Sequence, residues 1–426
     1  MLKHLNQKQV ISWALYDWAN SAYATVIIAG FFPVFFKQYW SAGVDNSTST
    51  FYLGLSNSVA SLVIVLLAPL LGAIADQASA RKGFLLFFAA LGMVMCGSLY
   101  FVQSGQWPLA VLLYIVASIG FMGSNIFYDA LITVVANHDN MDRVSALGFS
   151  LGYLGGGILF LVNVLMVLYP ESFGMANPSE AVRVAFIMVA VWWAVFSLPL
   201  WFFVKEKKEG KRKSIRLSVI DGFKQLTGTF HHIRQLRVVF LFLLAYWLYI
   251  DGVDTIIRMA VDYGMALGFS SDDLMVALLI TQFVGFPAAL VFGKLGETWG
   301  TKKSILLAIF IYMGVTGWAY FIDQVQEFYV LAIVIGLVQG GVQSLSRSFY
   351  ARLIPVDKAA EFFGFYNMLG KFAAVIGPVM MGWISMITGD PRLSILSLII
   401  LFLSGAVLLY FVNEQEGVRQ AGLLND

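Results

Sequence analysis

Long apolar runs constrain this chain more than any other feature of its sequence. A helix needs about 20 mostly apolar residues to cross a bilayer, and twelve segments reach that length. They are 12–39, 51–75, 83–104, 107–135, 144–169, 182–204, 238–262, 273–296, 303–322, 328–352, 360–387 and 393–413. Only 12% of the residues are charged, against about a quarter in soluble domains. The sequence therefore predicts an all-α integral membrane protein with twelve transmembrane helices.

The longest connection, residues 205–237, divides the spans into six and six. It carries ten Lys and Arg residues against three acidic ones. We expect an N-terminal six-helix bundle at 1–204, a basic linker at 205–237 and a C-terminal six-helix bundle at 238–426. A basic run could also bind nucleic acid, but beside a membrane span it is typical of an anchor near anionic lipid. We therefore expect the lipid bilayer, and no nucleic acid, as a partner.

The distribution of positive charge predicts the orientation of the chain. Of the 27 Lys and Arg residues, three fall at span ends or connections on one side (Lys37, Arg183, Arg392) and two lie deep within spans (Arg258, Lys371), which leaves 22 at the other side. Basic residues collect on the cytoplasmic side of membrane proteins. Both termini are predicted to be cytoplasmic, and the protein would lie in the inner membrane of a bacterial cell.

The two halves repeat one another. The stretch from Gly72 to Lys82 follows the second span and reads GAIADQASARK, while the stretch from Gly293 to Lys303 follows the eighth span and reads GKLGETWGTKK. Glycine, acid and basic pair fall at the same places, 221 residues apart. Two equivalent halves suit a mechanism in which one half rocks against the other around a central site. An enzyme or a membrane anchor needs no such duplication.

These repeated stretches resemble the signature cytoplasmic loop of the major facilitator superfamily, although Ser79 replaces a glycine of that pattern in the first copy. Further stretches resemble one branch, the "unknown major facilitators" related to the autophagy-related vacuolar amino-acid effluxers. They are residues 13–23, 143–157, 346–355, 360–367 and 370–374. The resemblance implies the pseudo-symmetric major facilitator fold. It also implies secondary transport of a small polar solute such as an amino acid, with efflux as one direction.

Charged side chains within the spans are candidates for the site, because such groups are costly in lipid and need a partner or a role. Asp251, Asp254 and Arg258 share one face of span seven by their spacing, and Asp251 lies near its middle. Lys371 lies at a similar depth on span eleven. We predict a coupling and substrate site here, in which a desolvated carboxylate exchanges a proton. The alternative is a structural ion pair, Asp254–Arg258 or Asp251–Lys371.

Polar residues of neighbouring spans extend this candidate site. Those expected to line the same cavity are Gln282, Gln339, Gln343 and Asn367. Asp17 and Asn20 share one face of span one, about a turn and a half from its cytoplasmic end. They are predicted to form a proton or sodium site, or alternatively a gate at the cytoplasmic mouth.

A second set of residues is predicted to latch helices together at the cytoplasmic ends. An acid at a helix C-terminus opposes the helix dipole, so Asp76 and Glu297 each need a partner. Asp129 could pair with Arg81, and Arg347 or Arg352 could serve likewise in the second half. The full set is Gly72, Asp76, Arg81, Asp129, Gly293, Glu297, Lys302, Arg347 and Arg352.

Other chemistry finds little support in the sequence. Cys96 is the only cysteine, and the four histidines (His4, His138, His231, His232) all fall outside the spans. No phosphate-binding loop occurs. The serine-elbow pattern at Gly148-Phe-Ser150-Leu-Gly152 falls within a spanning helix rather than on a strand–turn–helix. We therefore expect no enzyme activity, no metal site and no cofactor.

The sequence thus predicts a secondary transporter of a small polar solute, active as a monomer and coupled to protons more readily than to sodium. Sugars and peptidoglycan fragments stay open as alternative substrates. A non-transporting receptor or assembly factor on the same fold stays open as an alternative function.

Overall fold

Twelve long helices form the computed structural model, which describes residues 2–41, 43, 46–206 and 236–422. Most of the predicted basic linker, residues 207–235, lies outside the described residues. The helices are α1 Leu2–Ala22, α2 Asn46–Gln77, α3 Arg81–Ser98, α4 Trp107–Ala130, α5 Met141–Leu168, α6 Pro178–Phe203, α7 Arg237–Ala266, α8 Ser271–Trp299, α9 Thr301–Ala319, α10 Val325–Leu353, α11 Ala359–Thr388 and α12 Leu398–Phe411. A short helix α13, Glu414–Gly422, follows.

Shorter helical turns complete several of these elements. Beyond Ala22, α1 continues as π-helical turns at Tyr23–Phe31 and Phe36–Trp40 around a single α-turn at Phe32–Phe35. Pro33 lies in that turn and has no N–H to donate, which suits a break in the regular ladder. Other turns are Leu99–Phe101, Ile132–Val135, Pro170–Phe173, Val356–Lys358 and Pro391–Leu396.

Eleven of the helices in the described chain are long and apolar enough to cross a membrane. The ninth predicted segment, 303–322, forms the 19-residue helix α9 but is not among the eleven. Its first turn, Thr301–Ser304, is polar. At 1.5 Å per residue, α9 is about 28 Å long, close to the thickness of the hydrocarbon core.

The turn after α2 and the turn after α8 share a backbone feature. Ser79 has φ 46° and Gly300 has φ 96°, so both lie in the left-handed region that favours glycine. Ser79, where the superfamily pattern has glycine, therefore has a positive φ, which glycine adopts more readily than serine.

A pair of lysines corrects the register of the repeat beyond this turn. Lys82 Nζ donates to the carbonyl oxygens of Trp201 (3.1 Å) and Val204 (2.8 Å) at the end of α6. Lys302 Nζ donates to those of Tyr410 (2.7 Å) and Val412 (2.8 Å) at the end of α12. The offset of 221 aligned Lys82 with Lys303, but α9 begins 220 residues after α3, so the residue equivalent to Lys82 in the structure is Lys302. Each lysine satisfies carbonyls that a helix end leaves unpaired.

The N-terminal half (α1–α6) meets the C-terminal half (α7–α12) where α2 packs on α11 and α5 packs on α8. Small residues allow the backbones to approach. A Cβ on Gly364 would lie 2.6 Å from the carbonyl oxygen of Ala68, and one on Gly293 would lie 2.5 Å from Cβ of Ala146. We call the end of the bundle near residues 12, 76, 142, 204, 297, 352 and 412 the termini side.

Candidate functional site

Asp251 is buried in α7 with 1% of its surface exposed. Its carboxylate accepts the backbone N–H of Gly377 in α11, at 3.0 and 3.2 Å to the two oxygens, and the Thr255 hydroxyl at 3.3 Å. Pro378 follows Gly377, so α11 has a weak point in its backbone ladder at this place. Within the described residues Asp251 forms no salt bridge. The alternative pair Asp251–Lys371 is therefore not formed.

Asp254, Arg258 and Lys371 lie close enough to interact electrostatically. Arg258 and Lys371 are the charged neighbours of Asp254. Lys371 in turn has Arg258, Asp254 and Asp129 as charged neighbours. Asp254 and Lys371 are half-buried, while Arg258 is exposed. In the described part of the chain none of the three joins a salt bridge of 4.0 Å or less. The alternative pair Asp254–Arg258 is thus not formed either.

The glutamines lie where α5 meets α8 and α10. Gln343 Oε1 accepts the Tyr153 hydroxyl at 3.1 Å, and buried Gln339 also faces that tyrosine. A Cβ on Gly157 would lie 3.2 Å from Cβ of Gln282. These three amides therefore stand at the interface between the halves. Tyr153, which sequence reasoning did not single out, joins them.

Asn367, which was predicted to line the cavity, and Asp17, which was predicted to form an ion site or a gate, both lie on the termini side. Asn367 Nδ2 donates to Asp129 Oδ2 at 3.0 Å and to the Phe363 carbonyl at 3.0 Å. Asp17 accepts the Tyr128 hydroxyl at 3.2 Å and lies 3.7 Å from an Arg347 nitrogen. The contacts of Asp17 agree with its alternative role as a gate residue. Asn20, one turn further along, donates to Asn125 Oδ1 at 2.5 Å.

Asp76 ties α2 to the start of α11. It pairs with Arg81 Nε at 2.5 Å and accepts the backbone N–H groups of Ala360 (3.2 Å) and Glu361 (2.9 Å). These are first-turn donors of α11, which a helix leaves unpaired and where its dipole favours a negative charge. Arg81 also donates to the carbonyl of Val356 at 2.8 Å. The acid that opposes its own helix dipole thus serves the N-terminus of a helix in the other half.

Asp142 forms the centre of a second contact between the halves, and sequence reasoning missed it. It lies in the first turn of α5 and is 4% exposed, and it accepts hydrogen bonds from Arg352 Nη1 at 2.9 Å and from the Thr301 hydroxyl at 2.7 Å. The Ser348 hydroxyl donates to it as well. Arg352 also pairs with Glu414 of α13 at 3.0 Å. The sequence offered one signal for Asp142: it stands in the first turn of α5, and Glu361 stands in the first turn of α11, the corresponding helix of the second half.

The other predicted latch residues divide into those that bridge the halves and those that do not. Asp129 pairs with Arg347 at 3.1 Å instead of with Arg81, because Arg81 is taken by Asp76. Gly72 and Gly293 lie where a helix of the other half comes closest. Lys302 caps α12 within its own half. Glu297 is exposed, and among the described residues its side chain joins no salt bridge.

A bulky residue at position 72 should therefore hold the termini side open. A Cβ on Gly72 would overlap the Ala360 carbonyl, which is backbone and cannot move cheaply. We expect Gly72→Val to cost the closed arrangement about 1–3 kcal/mol. Spin labels on His138→Cys and Lys303→Cys, in a Cys96→Ser background, would report this as a longer distance. Both sites are exposed and lie on opposite halves.

The matched control is Gly83→Val, because nothing lies within 4 Å of a Cβ at that position. It should leave the distance between the two labels unchanged. Equal distances for Gly72→Val and wild type would contradict the steric argument.

Comparison with known proteins agrees with this architecture. The model of the family described as "Vacuole effluxer Atg22 like" matches residues 5–422. The chain belongs to this family. It is 41% identical over 421 residues to the "Uncharacterized MFS-type transporter YxiO" of Bacillus subtilis (strain 168), covering 98% of each chain. It is 24% identical to "Autophagy-related protein 22" of Yarrowia lipolytica, covering 90% of this chain and 78% of that one.

Solved structures with little sequence identity share the fold of this family member. The proton:xylose symporter XylE superposes with a TM-score of 0.73 at 14% identity, covering 99% of this chain and 98% of that one. The human organic anion transporter MFSD10 gives 0.71 at 15% identity, covering 95% and 99%. The protein is therefore a multi-pass membrane protein with the major facilitator fold, and its family is one of transporters.

Proposed function

We propose that this transporter moves a small zwitterionic solute, an amino acid in the first instance, by proton-coupled alternating access. The observation that supports this most is the set of four charges on α7 and α11. Asp251 and Asp254 contribute two negative charges, and Arg258 and Lys371 contribute two positive charges. Charges at this depth are costly in lipid unless they have a role. A set that sums to zero suits a solute that also carries both signs.

The two cations would bind the carboxylate of the solute, and Asp254 would bind its ammonium group. Arg258 and Lys371 have no acid within 4.0 Å among the described residues, so their donors are available to a ligand. Hydrogen bonds between ionised groups are roughly twice as strong as neutral ones. Gln282, Gln339 and Gln343, with the Tyr153 hydroxyl, would add neutral contacts from the opposite wall.

Asp251 is the acid that we assign to proton coupling. Its contacts are a backbone N–H and a hydroxyl, so its charge is not cancelled by a salt bridge. A change in its charge would also alter the α7–α11 contact at Gly377, next to Pro378. Proton binding to Asp251 would in this way change the packing between α7 and α11, the two helices that carry the substrate-binding charges.

The charge distribution and the family support our proposal for the orientation of the chain and the direction of transport. The excess of Lys and Arg near the termini side favours a cytoplasmic location for both termini. The family, described as "Vacuole effluxer Atg22 like", supports efflux as the direction of movement across the membrane. In a bacterial cell this would be the inner membrane, with the monomer as the working unit.

Flux in proteoliposomes tests this function. The purified protein would be given a mixed pool of labelled amino acids, with and without an imposed pH gradient, beside an Asp251→Asn variant. We expect gradient-dependent flux that Asp251→Asn abolishes while the protein stays folded. The amide can still accept the Gly377 N–H, so the helix contact is kept while the charge is removed.

The other outcomes separate the parts of the proposal. Flux that ignores the gradient and survives the substitution would overturn the assignment of coupling to Asp251. A wild-type protein that moves no member of the pool would overturn the amino-acid assignment. Labelled sugars and peptidoglycan fragments would then be the next substrates to test.

A further inference from the structure

Arg347 of α10 is held by the opposite half of the molecule. It is 2% exposed, and its guanidinium donates to Asp129 at 3.1 Å and to the hydroxyl and carbonyl of Ser145, both at 2.9 Å. It also lies over the rings of Phe149 and Trp13, at 4.3 and 4.9 Å from their centroids. All of these groups belong to α1, α4 and α5. A cation of the C-terminal half thus fills a cage built by the N-terminal half.

At this contact the N-terminal half supplies the acids and the C-terminal half supplies the cations. Asp17 and Asp129 belong to the N-terminal half, and Arg347 lies 3.7 Å from the first and 3.1 Å from the second. Lys371, from the C-terminal half, also acts on Asp129. When the halves separate on the termini side, both cations leave and two neighbouring carboxylates stay behind. Like charges this close disfavour double ionisation.

No cation of the N-terminal half replaces them among the described residues that face these two acids. Asp17 is faced by Arg347, Asp129, Tyr128 and Tyr153, with Tyr16 beside it in α1. Asp129 is faced by Arg347 and Lys371, and by Tyr246 and Tyr366. The remaining titratable neighbours are therefore tyrosines, which are neutral between pH 5 and 8.

We propose that Asp17 and Asp129 bind one monovalent cation, a proton or Na⁺, when Arg347 withdraws. Arg347 is then a tethered competitor of that cation: it fills the site in the closed arrangement, and the free cation fills it in the open one. The inference rests on the alternating access proposed above. Because the site becomes accessible only when the termini side opens, the cation enters and leaves on that side. It sets the balance between the two arrangements instead of being carried across.

The sign of the effect follows from linkage. In the closed arrangement both carboxylates are compensated by Arg347 and Lys371, and in the open arrangement they are not. Protonation therefore stabilises the open arrangement, so the open fraction rises as the pH falls. Each proton taken up on opening changes the ratio of open to closed protein by up to about tenfold per pH unit.

The spin-label pair at positions 138 and 303 measures this ratio directly. We would record distances on the full-length protein from pH 5.5 to 8.5 in potassium buffer, and at pH 8.5 with sodium in place of potassium. A longer distance at low pH alone identifies the proton as the cation, and a longer distance in sodium at pH 8.5 identifies Na⁺. The proposal is overturned if the label distance in the protein with Asp17, Asp129 and Arg347 intact changes with neither pH nor sodium. The label at 138 also removes His138 as a competing titratable group.

Asp17→Asn/Asp129→Asn should abolish the dependence of the label distance on pH and sodium. This double variant also leaves the buried Arg347 without its two acidic partners. The triple variant that adds Arg347→Met replaces the charged cluster with neutral groups. We expect it to stay folded, because neutral replacement of a whole buried charge cluster often costs little stability. Glu171→Gln, at an exposed acid in the connection between α5 and α6, is the control that should keep the dependence. A dependence that survives in the triple variant overturns the assignment. If the proposed function failed but this inference held, the flux assay would show no transport while the label distance still responded to pH or sodium.

Discussion

Asp142→Ala is expected to shift the protein strongly towards the arrangement that is open on the termini side. Asp142 is the buried acceptor for Arg352, Thr301 and Ser348, all in the C-terminal half. Breaking a buried ion pair costs about 3–5 kcal/mol because one charge is left without its partner. We take about 3 kcal/mol, since Arg352 keeps Glu414. This corresponds to a change of about hundredfold in the ratio of closed to open protein.

The distance between labels at positions 138 and 303 is the measurement. Asp139→Ala, at an exposed acid three residues before Asp142 and just outside α5, is the matched control and should change nothing. Asp142→Asn should fall in between, because the amide oxygen can still accept from Thr301 or Ser348 while the charge is lost. If Asp142→Ala and Asp139→Ala behaved alike, Asp142 would not hold the halves together.

Lys371→Gln is expected to weaken binding of a zwitterionic amino acid by about 10- to 100-fold. The proposed contact is a hydrogen bond between the ammonium group and the carboxylate of the solute, and such bonds contribute about 1.5–3 kcal/mol. Arg258→Gln should act in the same direction. Equilibrium binding of labelled amino acids to the purified protein gives the affinity without a dependence on coupling.

The control for this experiment is Lys294→Gln, because Lys294 is an exposed lysine of α8. Its affinity should equal that of the wild type. An unchanged affinity for Lys371→Gln and Arg258→Gln together would exclude these cations as the carboxylate site. Affinity lost for amino acids but kept for a neutral sugar would strengthen the assignment.

The fold could be predicted from the sequence to a large extent because the bilayer imposes a simple rule. Every backbone group of a span must be satisfied within the protein, so an apolar run of sufficient length becomes a helix. The repeat at Gly72 and Gly293 indicated two related halves, and it marked the two places where a helix of the other half comes closest. The register beyond the turn could not be predicted, because Lys302-Lys303 matches Arg81-Lys82 in residue type at the offset of 221, although α9 begins 220 residues after α3.

The partners of the buried charges were harder to predict. Sequence spacing brings Asp254 and Arg258 to one helix face, but it does not say which half contributes the partner of Asp129. That choice depends on how α4 and α10 meet, which is tertiary packing. Asp142 was overlooked for a related reason: an acid in the first turn of a helix is ordinary, and its value here comes from three donors supplied by the other half. The contact between Asp251 and the backbone N–H of Gly377 could be suspected from the sequence only because Gly377 precedes Pro378, which weakens the helix backbone there.

The segments that follow α6 and α12 are each fastened to their own half. Lys82 binds the last carbonyls of α6, and Glu206, just beyond, accepts the backbone N–H groups of Arg81 (2.9 Å) and Lys82 (3.1 Å). The chain therefore leaves the first half from an anchored point. Residues inserted after that point add little loop-closure entropy and need not disturb the helices. Such a joint is a place where the protein can be lengthened while both helix bundles are kept.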